Sequence, residues 1–341
     1  MTKVALITGI TGQDGTYISK LLLDKGYVVH GIKRESSTTR IEDNNKEKKN
    51  VNLHFHFCDM TDYSKIIRII QDVCPDEIYN LAAQSSVHTS FDRPEYTAEI
   101  NSLGTLHLLE AIRTLGLEKK TKLFQACTGE IFGNSLETPQ NENTPFRPQN
   151  PYAVSKLYAY WICVNYREAY DMFVCNGIMF NHESPIRPDS FVTRKITKAA
   201  VRIKKGFQEK LYLGNLNAKR DWGFAGDYAE AMWLMLQQDK PDDYVIATGE
   251  THSVKDMVEF AFREVGIEIE WEGEGLDKKG INAGTGEVLI EVDPQFYRPI
   301  ESSLFVGNPS KAREKLGWVP RVNFEELVKM MVKNDLELVK C

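Results

Sequence analysis

Few folds suit a chain that alternates short apolar runs with amphipathic helical stretches, and this one alternates through its first 180 residues. Residues 4–8 (VALIT), 27–32, 53–57, 77–81, 122–127 and 173–179 read as buried strands. Helical spacing is predicted over 17–25, 63–73, 96–115 and 151–170. Gly26 and Pro75 stop the first two helices, and Pro151 opens the last. Repeated strand–helix–strand units imply a parallel sheet with right-handed crossovers. Such a sheet takes ligands at the carboxyl ends of its strands. The charge-dense stretch 40–49 (RIEDNNKEKK) reads as an exposed loop. Past about residue 181 the alternation breaks up. The acid- and glycine-rich stretch 264–293 reads as a loose segment, and 309–316 and 323–338 read as helices. The expected class is α/β: a Rossmann-type doubly wound parallel sheet with a smaller α/β substrate-binding lobe. The first domain would span 1–180 plus about 221–250, and the lobe about 181–220 and 251–341.

Charge removes several function classes. Lys and Arg number 42 against 48 Asp and Glu, a formal net charge of −6. General nucleic-acid binding needs a basic surface, so no nucleic-acid partner is expected. An anionic ligand would need positive charge gathered in a pocket. The six cysteines show no CxxC pattern, which argues against a disulfide framework or zinc site and for a reduced, cytoplasmic chain. His54 and His56 alternate on one strand face, with no third ligand nearby in sequence, so no metal is expected. No run approaches the ~20 apolar residues of a membrane span, so no membrane partner is expected. A strand-like run from Lys3 leaves no room for a secretory signal.

Gly9, Gly12 and Gly15 lie between the first strand and the first helix. Glycine permits a sharp turn and close backbone approach to a pyrophosphate, which the helix N-terminus then binds. The spacing is GxxGxxG rather than GxGxxG, so position carries more weight than motif. After the second strand come Lys33, Arg34 and Glu35. An acid there suits the NAD ribose and an arginine the NADP 2′-phosphate, so two cations before one acid favour NADP.

Tyr152 and Lys156 are four apart and share one helix face. YxxxK is common by chance. After a glycine turn, and with Thr128 ending the fifth strand, it matches a hydride-transfer site of the short-chain dehydrogenase type. The ammonium favours the tyrosine phenolate, which makes Tyr152 a candidate base. Thr128 can donate to a substrate oxygen. Glu130 is a group that simple oxidation does not need, and it suggests a second proton transfer, hence elimination. The plainer reading makes it a turn residue.

At these residues the chain resembles the GDP-mannose 4,6-dehydratases of the extended short-chain dehydrogenase/reductase superfamily. The resemblance covers nearly the whole chain. It is strongest at ALITGITGQDGTY (5–17), NLAAQSSVHTSFDRPEYTAEIN (80–101), NPYAVSKLYAYWICVNYREAY (150–170), FNHESP (180–185), FVTRKI (191–196), LGNLNAKRDWGFAGDY (213–228), YRP (297–299) and KLGW (315–318). It implies that Gly9, Ile10, Thr11, Gly12, Gln13, Asp14 and Gly15 wrap the NADP pyrophosphate, with Arg34 at the 2′-phosphate. Asp59 and Met60 would flank the adenine, and Leu81, Ala82, Ala83, Gln84 and Ser85 with Tyr96 would line the groove. Lys156 would hold the nicotinamide ribose, and His182 and Arg187 would complete the cofactor site. Thr128, Glu130 and Tyr152 match the catalytic set. Ser85, Asn181, Lys195, Arg220, Arg298 and Glu301 match positions that hold the GDP-sugar. Arginine suits diphosphate oxygens, which makes Arg220 and Arg298 plausible clamps.

The resemblance implies dehydration of GDP-mannose to GDP-4-keto-6-deoxy-mannose, with a tightly bound NADP that is recycled. Departures are Gly129 for a serine, Ser86 for a histidine, Ile186 for an arginine, Phe224 and Gly226 for a histidine and a lysine, and Glu35 for an arginine. The loop to Arg40 is also shorter. That loop assembles tetramers in the family, so of homodimer and homotetramer the dimer gains weight. Competing readings are an added 4-keto reduction to GDP-rhamnose, a nucleotide-sugar 4-epimerase on the same scaffold, and a non-catalytic NADP sensor.

Overall fold

The structure is a computed structural model that describes residues 2–35, 51–296 and 305–339. The charge-dense stretch 40–49, Arg298 and Glu301 lie outside the described residues. The chain divides into two compact units. The first comprises residues 1–180, 225–247 and 307–319, the second 181–224, 248–306 and 320–341.

The first unit is a seven-stranded parallel sheet. Its first six strands in chain order are β1 (Val4–Thr8), β2 (Val28–Lys33), β3 (Leu53–Phe57), β4 (Glu77–Asn80), β5 (Lys122–Thr128) and β6 (Val174–Met179). Across the sheet the order is Tyr244–Ile246, β6, β5, β4, β1, β2, β3. Both faces are covered, so the strands are apolar on both sides. Ala5 and Ile7 pack with Tyr79, Phe124 and Met232 on one face. Leu6, Ile78 and Leu123 pack with Ile66, Ile70 and Leu108 on the other. Helices Gln13–Asp24, Tyr63–Val73, Pro151–Tyr170 and Ala225–Leu236 supply these layers. Local chemistry sets their ends. Asp62 accepts from Lys65 N at the start of Tyr63–Val73, and left-handed Cys74 ends it.

The single helix predicted over 96–115 is a compound one. Pro94–Ala98 is α-helical, Glu99–Leu103 is a π-turn, and Gly104–Thr114 is α-helical again.

The second unit has its own core, with Ile196, Leu211, Trp222, Met257, Phe262, Phe324 and Met331 buried together. Helices Val192–Lys204, Val254–Glu264 and Phe324–Leu338 surround it, the last two opened by capping boxes. Arg194 and Asp335 form a buried ion pair within it.

Two expectations change. The stretch 264–293 is not loose. Ile269–Glu272, Lys279–Asn282 and Val288–Val292 form consecutive antiparallel strands, and Leu211–Leu213 adds in parallel. The acids alternate with apolar residues: Glu270 and Glu272 are exposed, while Ile269 and Trp271 turn inward. The unit boundary also moves. Trp222–Phe224 pairs with Asn181–Glu183 and so belongs to the second unit. Residues 307–319 join the first, where Ala312, Leu316 and Trp318 enter the core beside Tyr228, and Trp318 Nε1 donates to Asp227 O at 2.8 Å.

Candidate active site

The carboxyl ends of β1 to β5 gather the first group of expected residues. Gly9 follows β1 with φ +67°, and a Cβ there would lie 2.8 Å from Ala82 N. At Gly15 a Cβ would lie 2.5 Å from Gly9 O and Ile10 Cα. The turn is therefore closed to any side chain at these two positions. Gly12 is the N-cap of Gln13–Asp24 and no side chain caps that helix. This glycine-only cradle at a helix start fits a pyrophosphate. Ile10 is fully buried against Gly31, so its side chain serves the core. Gln13 Nε2 donates to Asp14 Oδ1 at 3.2 Å, and Thr11 is half-buried in the turn.

Beyond β2, the two cations part. Lys33 is buried with its ammonium 4.6 Å from the Phe55 ring centroid, whereas Arg34 is exposed and donates to Tyr96 OH at 3.0 Å. The charge argument for the 2′-phosphate therefore rests on Arg34. Asp59 holds Thr61 N and Oγ1 at 3.1 and 3.0 Å, and Met60 is packed over Gly104. Past β4, Leu81 N and Ala82 N donate to Thr8 Oγ1, each at 3.0 Å. Ala83 is half-buried and Ser85 exposed. Gln84 bends its side chain back onto Ser86 O and Thr97 Oγ1, each at 3.0 Å, and shapes its own loop.

At the end of β5, Thr128 Oγ1 accepts from Glu130 N at 3.2 Å. Asn150 Nδ2 donates to Glu130 Oε2 at 3.2 Å, and Asn150 Oδ1 accepts from Ala153 N at 2.7 Å. Asn150 thus caps the helix carrying Tyr152 and Lys156 while holding the glutamate. It was not singled out from sequence, though an N-cap asparagine before proline signals such a helix start. Lys156 is buried and donates from Nζ to Ala126 O at 2.8 Å, one helical turn from the half-buried Tyr152. Burial pushes its pKa below the usual lysine value. The neighbouring Cys127 thiol is pushed up to about 12 by burial, which leaves it protonated and inert.

The second unit carries the other described candidates. Asn181 and His182 lie on one short strand. Arg187 Nε sits 3.1 Å from Glu183 Oε2, with its guanidinium 3.7 Å from the Phe191 ring centroid. Lys195 donates to Tyr212 O at 2.6 Å, and burial lowers its pKa. Arg220 is buried, donates to Lys219 O at 2.8 Å and faces the Phe305 ring. Its neighbour Asp221 accepts from Thr248 N and Gly249 N, each at 2.9 Å, which fixes the chain beside it.

A parallel sheet that delivers a glycine turn from β1 and, from β5 and its following helix, a Thr–Glu pair and a Tyr-x-x-x-Lys face defines the short-chain dehydrogenase/reductase class. Solved structures agree on the fold. A Thermus thermophilus UDP-glucose 4-epimerase in complex with NAD aligns with TM-score 0.80 and 27% identity, covering 97% of this chain and 98% of that one. A Bacillus anthracis dTDP-glucose 4,6-dehydratase aligns with TM-score 0.79 and 20% identity, covering 98% and 96%. The family model for GDP-mannose 4,6 dehydratase matches residues 6–331, and the chain belongs to that family. A Sinorhizobium fredii GDP-mannose 4,6-dehydratase is 55% identical over 99% of this chain and 98% of its own. A Drosophila melanogaster GDP-mannose 4,6 dehydratase is 55% identical over 99% and 87%.

Proposed function

We propose that the protein dehydrates GDP-mannose to GDP-4-keto-6-deoxy-mannose, using a nicotinamide cofactor and NADP in preference to NAD. One observation carries the reading: a carboxylate, Glu130, is fixed by Asn150 at the strand end that bears Thr128 and leads to Tyr152. Oxidation alone has no use for it. Elimination needs a base at the carbon next to a ketone.

When bound, the cofactor would accept a hydride from C4 of the sugar and return one to C6. Gly9 to Gly15 hold its pyrophosphate, Arg34 its 2′-phosphate, and Lys156 its ribose. Tyr152 accepts the 4-OH proton, helped by the Lys156 charge one turn away. Thr128 donates a hydrogen bond to that oxygen. Glu130 takes the C5 proton, which the 4-ketone has acidified, and passes it to the 6-OH, which leaves as water. C5 then receives the second proton, the one Tyr152 took from the 4-OH, which exchanges with solvent. Asn181, Lys195, Arg220, Arg298 and Glu301 keep the GDP-sugar-binding roles the resemblance implies. The 4-epimerase reading is not favoured, since the Thermus epimerase is 27% identical and the dehydratases are 55%.

We further place the protein in the cytoplasm as a homodimer. All five described cysteines are free, and no described helix is long and apolar enough to cross a membrane. Val154, Tyr158 and Trp161 are 55%, 41% and 55% exposed at successive turns of the Tyr152 helix, an apolar stripe suited to a second copy.

The direct test is Glu130→Gln. It is expected to retain NADPH and to abolish release of the 4-keto product. Near-normal turnover would refute the role of Glu130.

A further inference from the structure

Three charged residues follow β2 in the sequence, but the structure leaves one cation there for a ligand. Lys33 is buried, with its ammonium 4.6 Å from the Phe55 ring centroid and 5.3 Å from that of Phe57. Arg34 and Glu35 are both exposed, and their charges offset each other. A phosphate monoester carries about −1.5 to −2 near neutrality. The end of β2 alone is therefore short of positive charge for a 2′-phosphate.

Another part of the first unit supplies it. Arg34 Nη1 donates to Tyr96 OH at 3.0 Å, and the guanidinium of Arg93 lies 4.6 Å from the centroid of the same ring. One phenol thus carries a guanidinium at its hydroxyl and another on its face. Both arginines are exposed, and among the described residues neither pairs with a carboxylate. The acids beside them in the chain are Glu35, Asp92 and Glu95, of which Asp92 lies 3.9 Å from His88 Nε2. Two cations gathered on one side chain repel each other until an anion joins them. Stacking uses the face of the Arg93 guanidinium and leaves its edge N–H groups open to phosphate oxygens.

Arg93 stands on a rigid bend. It ends the helix Val87–Asp92 and begins the helix Pro94–Ala98. The proline after it keeps it out of the helical region, at φ −135° and ψ 59°. Its N donates to Thr89 O at 2.9 Å, and its O accepts from Thr97 N at 3.1 Å and Thr97 Oγ1 at 2.8 Å. Thr97 Oγ1 also accepts from Gln84 Nε2 at 3.0 Å, which ties the bend to the loop after β4. A guanidinium fixed in this way loses less freedom when it binds.

We propose that Arg93 is the second cation of the cofactor 2′-phosphate site, in the place the sequence gives to Lys33. Arg34 and Arg93 take the phosphate between them, and Tyr96 spaces them. NAD has a hydroxyl at that position and offers Arg93 no charge to meet. This inference rests on the reading that NADP is preferred and that Arg34 meets its 2′-phosphate.

Fluorescence titration of the full chain with NADPH and with NADH tests it. Arg93→Gln is expected to raise the Kd of NADPH about threefold to 10-fold, a modest loss because the site is exposed and screened, and to leave NADH within about twofold. The Kd of NADPH should also rise less steeply with salt than in the wild type. Arg93→Lys keeps the charge without the planar fork and should fall between the two. It carries the test should Arg93→Gln fail to fold. An unchanged NADPH-to-NADH ratio in folded Arg93→Gln, or an equal loss of both nucleotides, overturns the proposal. A wild type without preference for NADPH, or an unchanged ratio in Arg34→Ser, would instead overturn the 2′-phosphate reading beneath it.

Discussion

Asn150 joins Glu130 to the start of the Tyr152 helix: one amide donates to the carboxylate at 3.2 Å and accepts from Ala153 N at 2.7 Å. The orientation of Glu130, the proposed C5 base, is therefore tied to the helix that carries Tyr152, the proposed C4 base. Asn150→Ala should cost about 1 kcal/mol of stability through the lost cap. It should also lower kcat by about 10-fold or more, since a freed carboxylate samples unproductive positions. Asn150→Ser keeps a cap but not the amide donor. Its stability should recover while its kcat stays low, as thermal melts and steady-state assays will show.

Gly9 and Gly26 both have positive φ, +67° and +81°. Their surroundings differ. A Cβ at Gly26 meets nothing within 4 Å, whereas at Gly9 it lies 2.8 Å from Ala82 N. Gly26→Ala should cost about 1–2 kcal/mol, the conformational penalty alone. Gly9→Ala adds a clash that must push the chain after β4 off its place. It should melt lower than Gly26→Ala and lose NADPH during gel filtration. Equal stability and retention in the two variants would contradict the closed turn.

Arg34 is the one exposed cation of the Lys33–Arg34 pair. Charge-assisted bonds of the kind a 2′-phosphate makes contribute about 1.5–3 kcal/mol. Arg34→Ser should therefore raise the Kd of NADPH about 10- to 100-fold and leave NADH within about twofold. Fluorescence titration of both nucleotides decides this, and an unchanged ratio would remove Arg34 from the cofactor site.

His30 on β2 joins His54 and His56 on β3. Its ring stacks on His54 with centroids 4.7 Å apart, and His30 Nδ1 and His56 Nε2 share a hydrogen bond at 2.9 Å. Burial, with His56 and His54 beside it, pushes His30 down to about 4. His56 is also lowered by burial and His54, with Asp72 acting in opposition. Between the ordinary value near 6.5 and about 4 the unfolded chain binds a proton that the folded chain does not. Stability is thus full above 6.5 and falls as pH drops. Melting temperature should decline across that window, and His30→Phe should flatten the decline.

Much of this arrangement was legible in the sequence, for physical reasons. Buried parallel strands and amphipathic helices leave distinct periods, so β1, β3 and the Pro151–Tyr170 helix match their predicted spans. The glycine turn and the Tyr152–Lys156 spacing are local patterns, and local patterns survive folding. Other features were hidden because they depend on partners distant in the chain. Acid content masked the period-two alternation of Ile269–Glu272. His30 reaches His54 and His56 only through the register of β2 with β3. Lys33 reads as a cofactor cation from sequence, but its ammonium lies over the Phe55 ring of the neighbouring strand. The π-turn at Glu99–Leu103 breaks the helical period that predicted one helix over 96–115.

Elimination across C5 and C6 after oxidation at C4 is tested by turning over GDP-mannose in deuterated water and reading the product by mass and proton resonance. The expected product is the 4-keto-6-deoxy sugar nucleotide with one deuterium at C5 and the original C4 hydrogen at C6. A product without deuterium at C5, or one that keeps its 6-OH, would contradict it.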